Sequence, residues 1–134
     1  MTFLFDTSVI IDYLHGDRKI SRFIADHQQD SLMTSAICEF EVLSGVFGLA
    51  NEKQRKETYR IVREAFASFS YLLAFDTNQA EIAARIWADL SRAGRIIGDT
   101  DVLIAAAAKS VNATLVTRNT KHFSRVTGLS VLPV

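Results

Sequence analysis

The chain has 134 residues with 15 basic and 15 acidic side chains, a formal net charge of zero, and 49% apolar residues. That length suits one domain over residues 1–134 with a real core, and one proline with six glycines excludes a flexible linker or low-complexity segment. The single cysteine, Cys38, excludes an internal disulfide, reads as a small buried apolar residue, and suits a cytoplasmic protein.

Phe3, Leu4 and Phe5 open the chain as a short apolar run, the length of a buried strand. The run lacks the basic flank and length of a signal peptide. Asp6 interrupts it, and Val9, Ile10, Tyr13 and Leu14 then recur at helical spacing. An Asp closing a strand of an open α/β sheet stands where such folds bind ligands. On this stretch alone, a helix cap is the simpler reading of Asp6, with Thr7 and Ser8 as further capping candidates. Gly16 should end the first helix, and Ile20, Phe23 and Ile24 give a second.

Ser31–Ser35 reads as a second strand and Ala36 to about Leu49 as a third helix. Ile37, Phe40, Val42, Leu43, Val46 and Phe47 go almost round that helix, which predicts burial on most sides. Asn51 begins a fourth helix that runs to about Ser68. Its stripe is Tyr59, Val62, Phe66 and Phe69, and Lys56, Arg60 and Arg63 form a solvated face. A third strand follows over residues 71–75. A fifth helix, capped by Asp76 or Thr77, should turn Ala83, Ile86, Trp87 and Leu90 inward and end at Gly94.

A sixth helix carries Asp99 and Asp101 at its start. These two acids break the longest apolar stretch, residues 96–108, so it cannot span a membrane. Residues 113–117 form a fourth strand, 118–123 a turn or short helix, and 129–134 a last strand. Strands alternating with helices predict an α/β three-layer sandwich, a central parallel sheet of about four to five strands flanked by helices. Residues 85–134 hold seven Lys or Arg against three acids, which is compatible with a nucleic-acid partner.

The strand ends of a parallel sheet share one rim. Asp6, Asp99, Asp101 and one acid of the third helix lie beside it. Hard divalent cations favour such carboxylates, and Mg²⁺ or Mn²⁺ is commonly held by a few of them plus water. Each acid has an ordinary reading too. Acids near helix starts are favoured by the dipole by about 0.3–1 kcal/mol, and Asp99 fits an N-cap. Asp101 fits less well, because it shares the packed face of Ile104, Ala105 and Ala108. Periodicity does not choose between Glu39 and Glu41. An aspartyl-nucleophile phosphatase would want an acid where Ser8 stands, a receiver domain would want paired acids early, and no dinucleotide or P-loop glycine pattern occurs.

Four segments, F-L-F-D-T-S-V-I-I-D, T-S-A-I-C-E-F-E-V-L-S-G, G-D-T-D-V-L-I-A-A-A-A and L-V-T-R-N-T-K-H-F, resemble in order and spacing the PIN-domain ribonucleases. The likeness is to the VapC-type toxins of toxin–antitoxin pairs and covers essentially the whole chain. It implies an acidic Mg²⁺ or Mn²⁺ site that cleaves RNA with water, a small antitoxin partner and a homodimer. Carried over residue by residue, it matches the family's acids to Asp6, Glu41 and Asp101, with Glu41 placed four residues before Gly45. Asp6 and Asp101 would hold the metal. Glu41, with Asp99 as an extra acid, would complete the shell or orient water. His122 stands where members often carry a further acid, a gap that Asn119 or a water would fill. Thr7, Ser8, Thr117 and Asn119 are short polar residues of the same rim, and Arg92, Arg95 and Arg118 are candidates for RNA backbone contacts. The competing reading is a catalytically inactive RNA-binding or interaction module on the same fold.

Overall fold

The computed structural model describes residues 1–134. Its centre is one five-stranded sheet in the order β3-β2-β1-β4-β5, every neighbouring pair parallel. The strands are β1 (Thr2–Phe5), β2 (Ser31–Ser35), β3 (Tyr71–Leu73), β4 (Thr114–Thr117) and β5 (Val131–Pro133). The helices are α1 (Thr7–Leu14), α2 (Arg18–Asp26), α3 (Ala36–Phe47), α4 (Glu52–Ala67), α5 (Thr77–Arg92), α6 (Asp99–Ser110) and α7 (Thr120–Phe123). A parallel strand covered on both faces needs a continuous apolar run. Phe3, Leu4 and Phe5 supply one and are buried at the sheet centre.

Glycine closes two helices in the left-handed conformation. Gly16, with φ of +82°, follows α1 in a left-handed conformation. It lets Gly16 N–H reach the Tyr13 carbonyl and Asp17 N–H the Asp12 carbonyl, both at 3.0 Å. That turn places Asp17 to cap α2, where its carboxylate accepts from Lys19 and Ile20 N–H. Gly94, with φ of +66°, ends α5 in the same way.

Four expectations need correction. Helix α3 is not buried on most sides. Cys38, Val42 and Val46 face the core, while Phe40 and Phe47 are 64% and 61% exposed. One stripe at helical spacing suffices to cover the sheet; Ile37 and Leu43 pack against the core only in part, and Phe47 stacks on Tyr59 of α4 at the surface. Trp87 is likewise 49% exposed, because Ala83, Ile86 and Leu90 alone form the inward stripe of α5. Strand β3 stops at Leu73 rather than continuing to Phe75. It is an edge strand, and the Ala74 carbonyl accepts from the Gln79 side chain instead of a ladder partner. The N-cap of α6 is Gly98, which leaves Asp99 as the first helical residue with no capping hydrogen bond.

Candidate active site

Asp6 leaves the sheet at the carboxyl end of β1, between the ends of β2 and β4. Its backbone N–H donates to the Val116 carbonyl, which keeps it in register, and its residue exposure is 4%. One carboxylate oxygen accepts from Thr7 N–H at 2.7 Å, the cap of α1. The other accepts from Ser8 Oγ at 3.0 Å and from Thr117 Oγ1 at 2.6 Å. Both hydroxyls are themselves oriented from the turn after β4. Ser8 Oγ accepts from Arg118 N–H, and Thr117 Oγ1 accepts from Asn119 N–H. A hydroxyl that accepts in this way keeps its single proton for Asp6. Burial pushes the Asp6 carboxyl above its ordinary value; these hydrogen bonds oppose the shift, and the nearby Asp101 charge adds to it.

Asp101 projects from the first turn of α6, partly exposed, with Oδ2 3.5 Å from His122 Nδ1. Asn119 Nδ2 lies 2.9 Å from the same ring nitrogen. Glu41 reaches the rim from α3, where its Oε1 accepts from the Thr7 hydroxyl at 2.6 Å. Glu39 faces elsewhere and pairs with Arg63 of α4 at 2.7 Å. The fold thus separates two glutamates that periodicity left open. The contact between Asp101 and His122 joins elements far apart in sequence, and no periodic signal announces it.

The other candidates are distributed differently. Asp99 is exposed and lines a groove with Phe75 and Trp87. Arg92 pairs with Asp89. Arg95 lies with Lys109 and Arg125 beside a cleft at the far end of α6. Lys109 is eight residues beyond Asp101, roughly 12 Å along the helix axis at 1.5 Å per residue. Arg118 is engaged by Asp12 at 2.8 Å, Asp17 at 2.9 Å and the Val134 carbonyl at 2.6 Å, so it straps β4 to α1 and β5. Sequence reasoning missed Asp12 and Asp17 in this role, although a charged residue on either side of Gly16 was visible.

No three His, Cys, Asp or Glu side chains close into a ready cation cage. The donor set still fits Mg²⁺ or Mn²⁺, which usually keep several waters and need only one or two carboxylates. Asp6 and Asp101 are two acids near enough for one charge to disfavour the other, one of them buried. A divalent cation offsets both the repulsion and the desolvation.

A parallel sheet with acids gathered at its carboxyl edge defines an α/β protein with an acidic rim suited to a hard divalent cation. The PIN domain family model matches residues 3–129. The Ribonuclease VapC1 of Haemophilus influenzae strain R2866 is 32% identical, covering 96% of this chain and 95% of its own length. The tRNA(fMet)-specific endonuclease VapC of Shigella flexneri is 31% identical with the same coverage, 96% and 95%. The crystal structure of VapBC2 from Rickettsia felis, bound to a DNA fragment from the promoter, superposes with a TM-score of 0.86 at 26% identity over 100% of this chain and 99% of that one. The chain belongs to the PIN-domain family, among the VapC ribonucleases.

Proposed function

We propose that this chain is a Mg²⁺- or Mn²⁺-dependent endoribonuclease and the toxin of a toxin–antitoxin pair that acts in the cytoplasm. The observation that carries the proposal is Asp6, buried at the end of β1, with Asp101 beside it, in a chain of the VapC family. Asp6 and Asp101 would hold the cation. When bound, the cation lowers the pKa of water and neutralises charge on the phosphate. Ser8 and Thr117 fix the Asp6 carboxylate, so it meets its partner without rearranging. Thr7 holds Glu41 at the same rim, where its free carboxylate oxygen can orient an attacking water. Thr117 and Asn119 order the turn that carries the His122 side of the site.

The antitoxin surface we assign is the groove of about 420 Å³ between α1, α3 and α4, lined by Ile11, Leu14, Val46 and Leu49 and bordered by Glu41. An apolar segment in that groove would carry a basic side chain to the acids. No helix is long and apolar enough to cross a membrane. The test is incubation of purified protein with tRNA and other structured RNAs in Mn²⁺, Mg²⁺ or excess EDTA, beside Asp6→Asn. Cleavage should need metal and disappear in the variant. Undiminished cleavage in EDTA would refute the mechanism.

A further inference from the structure

The imidazole of His122 faces the acids at a place where the donor set is otherwise all oxygen. Its Nδ1 lies 3.5 Å from Asp101 Oδ2 and 2.9 Å from Asn119 Nδ2. With the Asn119 amide donating, that nitrogen presents a lone pair rather than a proton. That lone pair is directed at the Asn119 amide, and Asp101 Oδ2 stands 3.5 Å from the same nitrogen, so a carboxylate oxygen and an unprotonated imidazole nitrogen lie within reach of one shared cation. Two donors at right angles about one cation, each about 2.1 Å from it, lie about 3 Å apart. The observed separation needs only a small side-chain adjustment to reach that value. The ring is partly exposed, with 43% of its side chain accessible, which leaves it room for such an adjustment.

We infer that His122 is a cation ligand beside Asp101 and gives this site a preference for Mn²⁺ over Mg²⁺. The inference rests on the active-site reading above. Ligation exchanges the Asn119 hydrogen bond for a bond from Nδ1 to the metal. Imidazole suits transition metals, whereas Mg²⁺ favours carboxylate, carbonyl and water. A nitrogen in the shell therefore shifts selectivity without adding charge. An acid at position 122 would instead place a third negative charge near Asp6 and Asp101 and would favour the harder ion.

The test uses the full chain without RNA. Pulsed EPR of the Mn²⁺-loaded protein should show modulation from a directly bonded ¹⁴N, and His122→Ala should lose it. Isothermal titration should show Mn²⁺ bound more tightly than Mg²⁺. In His122→Ala the Mn²⁺ affinity should fall by about 10-fold or more, and in His122→Asp the preference for Mn²⁺ should shrink as Mg²⁺ binding strengthens. Circular dichroism melts of both variants check folding. Mn²⁺ binding that requires Asp101 but shows no ¹⁴N coupling, or coupling that survives in His122→Ala, overturns the inference and leaves the active site standing. Mn²⁺ bound equally by wild type and Asp101→Asn overturns the active-site reading and this inference together.

Discussion

The Asp6 carboxylate accepts three hydrogen bonds, and its oxygens lie where water hardly reaches. Burial outweighs the hydrogen bonds, so its folded-state pKa lies above the unfolded value near 3.8. The sign of the linkage follows. Between the unfolded and folded values the native state binds more protons than the unfolded one. Stability from this group is therefore complete below about 3.8 and is lost as pH rises through the folded pKa. In EDTA, Asp6→Asn should remove that slope and raise stability near neutral pH by about 1 kcal/mol, since Asn caps a helix nearly as well as Asp. Thermal melts from pH 3 to 8 would show it, and a parallel slope in the variant would rule out Asp6 as the source. The glutamates separate at the same scale. Glu41→Gln should abolish RNA cleavage, whereas Glu39→Gln should retain it and lose only a partly exposed ion pair worth about 0.2–1 kcal/mol. Equal activity of the two variants would remove Glu41 from the site.

The elements explain which parts of the site could be read in advance. Asp6 was legible locally only as a helix cap, which it is, and the four segments taken together singled it out as an acid of the site. Strand β2 was legible to the residue, Ser31–Ser35, and the glycine ends of α1 and α5 were legible because only a left-handed residue closes those turns. The orientation of α3 was not. Its sequence is apolar nearly all round, so the inward stripe of Cys38, Val42 and Val46, and hence the facing of Glu41, depended on a tertiary choice. Asp99 was misread for a local reason, since Gly98 adopts the N-cap conformation one residue earlier. Gly45 lies in the interior of α3 on the wall of the groove, with nothing within 4 Å of where a Cβ would stand. Internal packing does not require it. Gly45→Ala should therefore stabilise the chain by about 0.5–1 kcal/mol. Gly45→Trp should melt no lower than the wild type, yet block capture of the antitoxin. Loss of stability in either variant would mean that the glycine serves the fold rather than the groove.

Across the whole molecule, the apolar content exceeds what one core absorbs. The core holds 27 buried apolar residues, while Phe40, Phe47, Phe75, Trp87 and Ile96 remain between 40% and 64% exposed. Isolated surface apolar residues are ordinary, but contiguous ones mark interaction sites. Apolar side chains line two grooves on different helices, and of these five exposed residues only Phe75 and Trp87 lie in one of them. One is the groove of α1, α3 and α4. The other is a groove of about 410 Å³ between α5 and α6, where Ala80 and Ala84 leave room beside Phe75, Trp87 and Leu103. Small residues flanking a protruding indole allow close approach of an identical helix pair, and a two-fold interface presents the same patch from both copies. We propose the second groove as the self-association face, with the first left to the antitoxin. The chain alone should sediment as a dimer at micromolar concentration. Trp87→Asp should yield a monomer that still captures the antitoxin, because a charge buried at the centre of a small interface costs far more than at its rim. Gly45→Trp should behave in the opposite way, dimeric but unable to bind the antitoxin. A wild type that stays monomeric throughout that range, or a Trp87→Asp variant that stays dimeric, would exclude the α5–α6 face.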